Sequence, residues 1–161
     1  MEHSPLRTSS RFSHYHSAAA RPHTRGTIRI VIPACNESSR IAPTLLQYCS
    51  HFGTAAMVLV VANGCSDDTS RIVRDLQDRF DNLELIETSA RIGKGGAIRI
   101  GLATGHEELV GFVDADGSTN AAEFERLVGI ARNGRAEAVI GSRWIAGARL
   151  GARQPLLRQL A

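Results

Sequence analysis

The sequence predicts an α/β domain built on a mostly parallel sheet flanked by helices, and three observations carry that prediction. From residue 27 onward, short branched apolar runs alternate with helix-length amphipathic segments. Strands separated by such segments are joined by right-handed crossovers, so they pair in parallel. Polar residues with chemical potential recur just after the strand runs, where a parallel sheet presents its ligand site. With 161 residues, 43% of them hydrophobic, the chain can bury one ordinary core.

Five runs read as strands: "TIRIVIP" (27–33), "MVLVVA" (57–62), "LELIET" (83–88), "LVGFVD" (109–114) and "EAVIGS" (137–142). They are short, branched and nearly continuously apolar, as strands covered on both faces are. The first connection is helical through Ile41, Leu45 and Cys49, with Pro43 tolerable in the first turn. The second, 67–80, places Ile72, Val73, Leu76 and Phe80 on one face, and Asp67 or Asp68 is positioned to cap its start. A helix over 120–134 buries Phe124, Leu127, Val128 and Ala131 and stops at Gly134.

Residues 1–26 are rich in Ser, Arg and His, lack any apolar run and read as a disordered tail, with 27–161 as the folded domain. Arg7, Arg11, Arg21 and Arg25 against Glu2 account for the whole net charge of +3; the remainder carries 15 basic and 15 acidic groups. The folded part is neutral, so the basic balance is no argument for a nucleic-acid partner. His3, His14, His16 and His23 have no metal-ligand spacing and read as solvated tail residues. Cys35, Cys49 and Cys65 are odd in number and lack a C-x-x-C pair, so neither a disulfide framework nor a zinc site is expected. The longest apolar run, 55–62, is far short of the roughly 20 residues that span a bilayer. A cytoplasmic protein, peripheral to a membrane at most, is the resulting expectation.

Three stretches carry chemistry. "GFVDADGSTN" (111–120) ends the fourth strand in Asp114 and Asp116. Asp-x-Asp in an extended turn either caps the following helix or directs two hard oxygen ligands at Mg²⁺ or Mn²⁺ held against a diphosphate. "ARIGKGGAIRIG" (90–101) is neither a Walker A loop nor a dinucleotide fingerprint. It reads as a flexible Gly-rich loop entering a helix, with Lys94, the only lysine against 18 arginines, available to a phosphate or simply solvated. "IGSRW" (140–144) offers Arg143 as a phosphate clamp or as an ordinary surface ion pair, with Trp144 as packing.

Taken in order, "IVIPACNE", "VVANGCSDDT", "RIGKGGAIRIGL", "FVDADGST" and "IGSRW" resemble the family 2 glycosyltransferases of the GT-A, Rossmann-like fold. The similarity is greatest to the branch that uses dolichyl or polyprenyl phosphate as acceptor, and it covers about 27–161. It implies a nucleotide sugar, UDP-glucose or GDP-mannose, as donor, a divalent metal and a lipid phosphate acceptor at a membrane surface. By that resemblance Pro33, Ala34, Glu37 and Asn63 line the nucleoside site. Asp114 and Asp116 approach the sugar phosphates and the metal, with Ser118 as a further oxygen ligand. Lys94, Arg143 and Arg158 neutralise phosphates, and hexose transfer proceeds with inversion.

The chain departs from the family pattern at Ala62 and Asn63, where two Asp are usual, and at Cys35, where Tyr is frequent. It stops at Ala161, where family members continue through acceptor-binding segments; the resemblance therefore implies a missing C-terminal region or a C-terminal partner. No carboxylate base for an acceptor hydroxyl is evident. That fits an acceptor already ionised as a phosphate, and equally a nucleotide-sugar-binding module without turnover. A phosphoacceptor signalling domain lacks its lysine after the fifth strand, and a nucleotidyltransferase lacks its N-terminal Gly-rich loop.

Overall fold

The structure is a computed structural model that describes residues 28–134 and 136–142. The chain divides into two compact units, 1–122 and 123–161. The first holds β1 (Ile28–Ala34), α1 (Ile41–Phe52), β2 (Ala56–Asn63), α2 (Thr69–Gln77), β3 (Leu83–Thr88), α3 (Gly93–Ala103) and β4 (Leu109–Phe112). A further helix, α4 (Ala121–Arg132), begins at the end of this unit and runs into the second.

All four strands are parallel, in the order β3-β2-β1-β4. β2 is buried along its whole length and β1 nearly so, as their unbroken branched apolar sequences require. On one face, Val31, Leu59, Val61 and Ile86 meet Ala97 and Ile100 of α3. Each Val, Leu or Ile side chain among them, fully buried, contributes about 1.5–3 kcal/mol. α1 packs Ile41, Leu45, Tyr48, Cys49 and Phe52 inward, and Pro43 sits in its first turn. Burial pushes the Cys49 thiol up to about 12, so this cysteine is inert packing.

Arg29 is 3% exposed within β1, a position an apolar pattern would not give to a cation. It is held by Glu107 through two 2.8 Å bonds and by Glu84 at 3.1 Å. Desolvation alone would lower the Arg29 pKa, but the two carboxylates outweigh it and raise it. The cluster ties β1, β3 and the α3–β4 connection together at the N-terminal edge of the sheet, away from the strand ends that carry the site. Gly105 makes room for it: a Cβ there would lie 2.2 Å from Glu107 Oε2 and 2.3 Å from Arg29 Nε.

Two expectations are corrected. "EAVIGS" forms no strand among the described residues, and Ile140 is 85% exposed. A strand exists only through its ladder, and 137–142 has no ladder partner here, so its apolar sequence has nothing to pair with. The continuous apolar run predicts a buried β4, but among the described residues it is a four-residue edge strand of alternating exposure, with Phe112 50% exposed. In α4, Phe124 and Val128 are buried, and Gly134 takes φ +67° just past its end, as expected of a glycine stop. Among the described residues, no helix is long and apolar enough to cross a membrane.

Candidate active site

The strand order reverses between β1 and β4, and the segments that follow their carboxyl ends lie where an open parallel sheet binds its ligand. Pairing continues one step beyond β4 through Val113 N–H donating to Val31 C=O at 3.0 Å. Beyond it, buried Val113 and Ala115 alternate with half-exposed Asp114 and exposed Asp116. The apolar residues anchor the segment while both carboxylates stay outside the core. Gly117 turns the chain at φ +70°, and Asp116 Oδ1 accepts the Ser118 N–H at 2.9 Å. Asp116 therefore serves the turn that its sequence context also allowed.

Helix α1 holds this turn from below. Thr44 Oγ1 donates to Ala115 C=O at 2.9 Å in a buried bond, and one helical turn later Tyr48 OH donates to Thr119 C=O at 3.0 Å. Burial pushes the Tyr48 phenol well above its usual value, so it remains a neutral donor.

The segment after β1 is fixed by a second network. Asn36 adopts φ +56° and accepts the Ser66 N–H at 2.8 Å. Thr69 Oγ1 accepts the Glu37 N–H at 2.8 Å, and Asp67 accepts the N–H groups of Ser38 and Thr69 at 3.0 Å each. Desolvation would raise the Asp67 carboxyl, but the bonds from Thr69 and Ser38 outweigh it and hold the group below the usual carboxylate range. Asp67, rather than Asp68, thus takes the capping role at the start of α2. Glu37 Oε2 lies 2.6 Å from Arg40 Nη2, but out of line for a hydrogen bond. It is shielded from solvent and accepts none.

At the end of β2, buried Asn63 accepts the Ile92 N–H at 2.7 Å and sets the start of α3. The glycine cluster expected as a loop is instead the first turn of this helix, with Lys94 in it. Glycine is a poor helix former, and packing supplies what propensity lacks. Ala97 and Gly101 let α3 lie so close to the sheet that a Cβ on Gly101 would fall 2.4 Å from Val31 Cγ1. From this turn Lys94 Nζ reaches Asp114 Oδ1 at 2.5 Å, with both side chains about half exposed.

The structure thus joins Lys94 to Asp114 and sets Pro33, Ala34, Glu37 and Asn63 at the ends of the adjacent strands β1 and β2. Ser118 lies in the Asp116 turn. Arg143, Trp144 and Arg158 lie outside the described residues. Thr44, Tyr48, Asp67 and Thr69 position the site segments, a role the sequence does not single out. Their signal in the sequence is slight: a hydroxyl pair at i, i+4 within an apolar helix face, and a "DDT" that reads only as a cap. Among the described residues, no group of three or more His, Cys, Asp or Glu is arranged to hold a metal.

Residues 29–159 match the family described as Glycosyl transferase family 2. The chain belongs to glycosyltransferase family 2. This family 2 chain is 34% identical over 105 residues to a dolichyl-phosphate beta-glucosyltransferase of Trichomonas vaginalis, covering 60% of the chain and 31% of the relative. It is 28% identical over 110 residues to the Homo sapiens dolichyl-phosphate beta-glucosyltransferase, covering 62% and 34%. The chain therefore matches about a third of the length of these curated relatives. Among solved structures, S. aureus TarS in complex with UDP-GlcNAc superposes with a TM-score of 0.57 at 23% identity, over 66% of this chain and 32% of that one. The mannosyltransferase PcManGT from Pyrobaculum calidifontis, in complex with GDP-Man and Mn²⁺, superposes with a TM-score of 0.51 at 25% identity, over 65% and 31%. The four-stranded parallel sheet flanked by helices is that of the GT-A glycosyltransferases.

Proposed function

We propose that residues 27–161 form the donor-binding part of an inverting, metal-dependent glycosyltransferase that moves a hexose from a nucleotide sugar to a polyprenyl or dolichyl phosphate. The observation that carries this reading is the Lys94–Asp114 pair at the strand-order reversal. One cation and one carboxylate, from segments twenty residues apart, meet beside a second carboxylate, which is what a metal-bound diphosphate needs on its two sides. The relatives' names supply the acceptor class, and the neighbours' bound molecules supply the donor class.

The residues fit a hard divalent cation. Asp114 and Asp116 offer carboxylate oxygens outside the core, and Ser118 adds an exposed hydroxyl. Two carboxylates with the remaining positions left to phosphate and water is the usual arrangement for Mg²⁺, and oxygen donors suit Mn²⁺ equally. When bound, the ion offsets charge developing on the leaving diphosphate. The chain's own residues do the rest. Thr44 and Tyr48 hold the carboxylate turn in place, and Lys94 faces the phosphates from the first turn of α3. Glu37 and Asn63 flank the nucleoside end beside Pro33 and Ala34, and Arg143 and Arg158 add positive charge. A phosphate acceptor arrives as an anion, so no carboxylate base is needed.

The test is transfer of labelled sugar from UDP-glucose or GDP-mannose to a short polyprenyl phosphate in detergent with Mn²⁺, with the lipid product isolated and its anomeric configuration read by NMR. An inverted lipid-linked hexose supports the proposal. Donor binding without product favours the second reading, a nucleotide-sugar-binding module, which the partial coverage of the relatives motivates. Absence of donor binding by the folded chain overturns both.

A further inference from the structure

We infer that Cys35 and Cys65 form a thiol modification site, a dithiol that closes to an intramolecular disulfide across the ends of β1 and β2. The inference does not depend on the donor-site reading. The two strands are paired in register through Ala34 and Ala62, so Cys35 follows directly on the last paired residue of β1. On the β2 side, Gly64 turns the chain at φ +59° and brings Cys65 back against β1, where its thiol donates to Ala34 C=O at 3.5 Å. That carbonyl belongs to the peptide unit leading into Cys35, so standard peptide dimensions put Cys65 Sγ within roughly 6 Å of Cys35 Cα.

The next residues are clamped together as well, Asn36 Oδ1 accepting the Ser66 N–H at 2.8 Å. Contacts on either side of Cys35 therefore hold the two segments side by side, as a disulfide between them requires. Both residues are partly exposed, whereas Cys49 is buried in α1. They also flank Glu37 and Asn63, so oxidised and reduced chains differ at the edge of the candidate site.

The oxidant is a low-molecular-weight disulfide such as oxidised glutathione. One protein thiolate attacks it, forming a mixed disulfide and releasing one glutathione thiol. The second protein thiolate attacks the protein sulfur of that mixed disulfide, forming the Cys35–Cys65 bond and releasing the second glutathione. Two electrons and the two thiol protons leave the protein with the two reduced glutathiones.

The experiment treats the reduced 161-residue chain with oxidised glutathione and then counts free thiols and maps unreduced peptides by mass spectrometry. Expected are a fall from three free thiols to one, a single Cys35–Cys65 cross-linked peptide and full reversal by dithiothreitol. Cys35→Ser and Cys65→Ser should instead stop at a stable glutathione adduct on the remaining partner. Wild-type chain that carries glutathione on either cysteine without cross-linking, or that loses no thiol, overturns the inference.

Discussion

The Thr44 hydroxyl donates to the carbonyl of Ala115, the residue between the two site carboxylates, at 2.9 Å in a buried bond that joins segments 71 residues apart. It fixes the backbone from which Asp114 and Asp116 project. Thr44→Val keeps the shape, removes the donor and leaves a buried carbonyl unpaired, which costs about 1–3 kcal/mol. Denaturant unfolding should show that loss, with most of it restored by Thr44→Ser. Tyr48→Phe removes the more exposed of the two bonds and should cost less, about 1 kcal/mol.

Lys94 and Asp114 form an ion pair with both side chains about half exposed, so the pair itself adds little stability. Lys94→Ala should change stability by no more than about 0.5 kcal/mol. On the proposed donor reading it should weaken nucleoside diphosphate binding roughly tenfold, with a shallower salt dependence than wild type. Equal affinity in wild type and variant would remove Lys94 from the site.

Asp67 accepts bonds from both Ser38 and Thr69, and its folded-state pKa lies below the unfolded value near 4. For a depressed carboxylate, the stabilisation is complete above the unfolded value and is lost as pH falls through the folded one. Asp67→Asn should therefore lower Tm by a near-constant amount from about pH 5 to 8, and the gap should close progressively below about pH 4. A gap that widened on acidification would contradict this.

Gly101 lets α3 rest on the sheet, since its Cβ would overlap Val31 Cγ1 at 2.4 Å. Gly101→Ala should destabilise by about 1–3 kcal/mol despite alanine's better helix propensity. Adding Val31→Ala should recover part of that loss. The non-additivity, read from a double-mutant cycle in denaturant, reports the contact directly.

How far the sequence reveals this arrangement depends on whether the physics is local. β1 and β2 are legible because continuous branched apolar runs have few other uses in a parallel sheet, and β3 because its apolar residues form a short run of strand length; Asp114 and Asp116 stand out because they end an apolar run. The first turn of α3 is not legible, because Gly93, Gly95 and Gly96 argue locally for a loop and only the close sheet contact at Gly101 makes a helix worthwhile. Thr44 is silent, and Asp67 is legible only as a cap, for a related reason. The long-range partners, Ala115 for Thr44 and Ser38 for Asp67, lie 71 and 29 residues away, and no periodicity encodes which carbonyl or N–H a side chain will meet. "EAVIGS" shows the converse, strand composition without a ladder partner among the described residues.

The most direct test of the central claim is calorimetric titration of UDP-glucose and of GDP-mannose into wild type and Asp116→Ala, each with Mn²⁺ and with EDTA. The account predicts that one donor binds wild type only when Mn²⁺ is present, and that the substitution abolishes the metal-dependent part while leaving the chain folded. Donor binding that is unchanged by EDTA and by loss of Asp116 would contradict it.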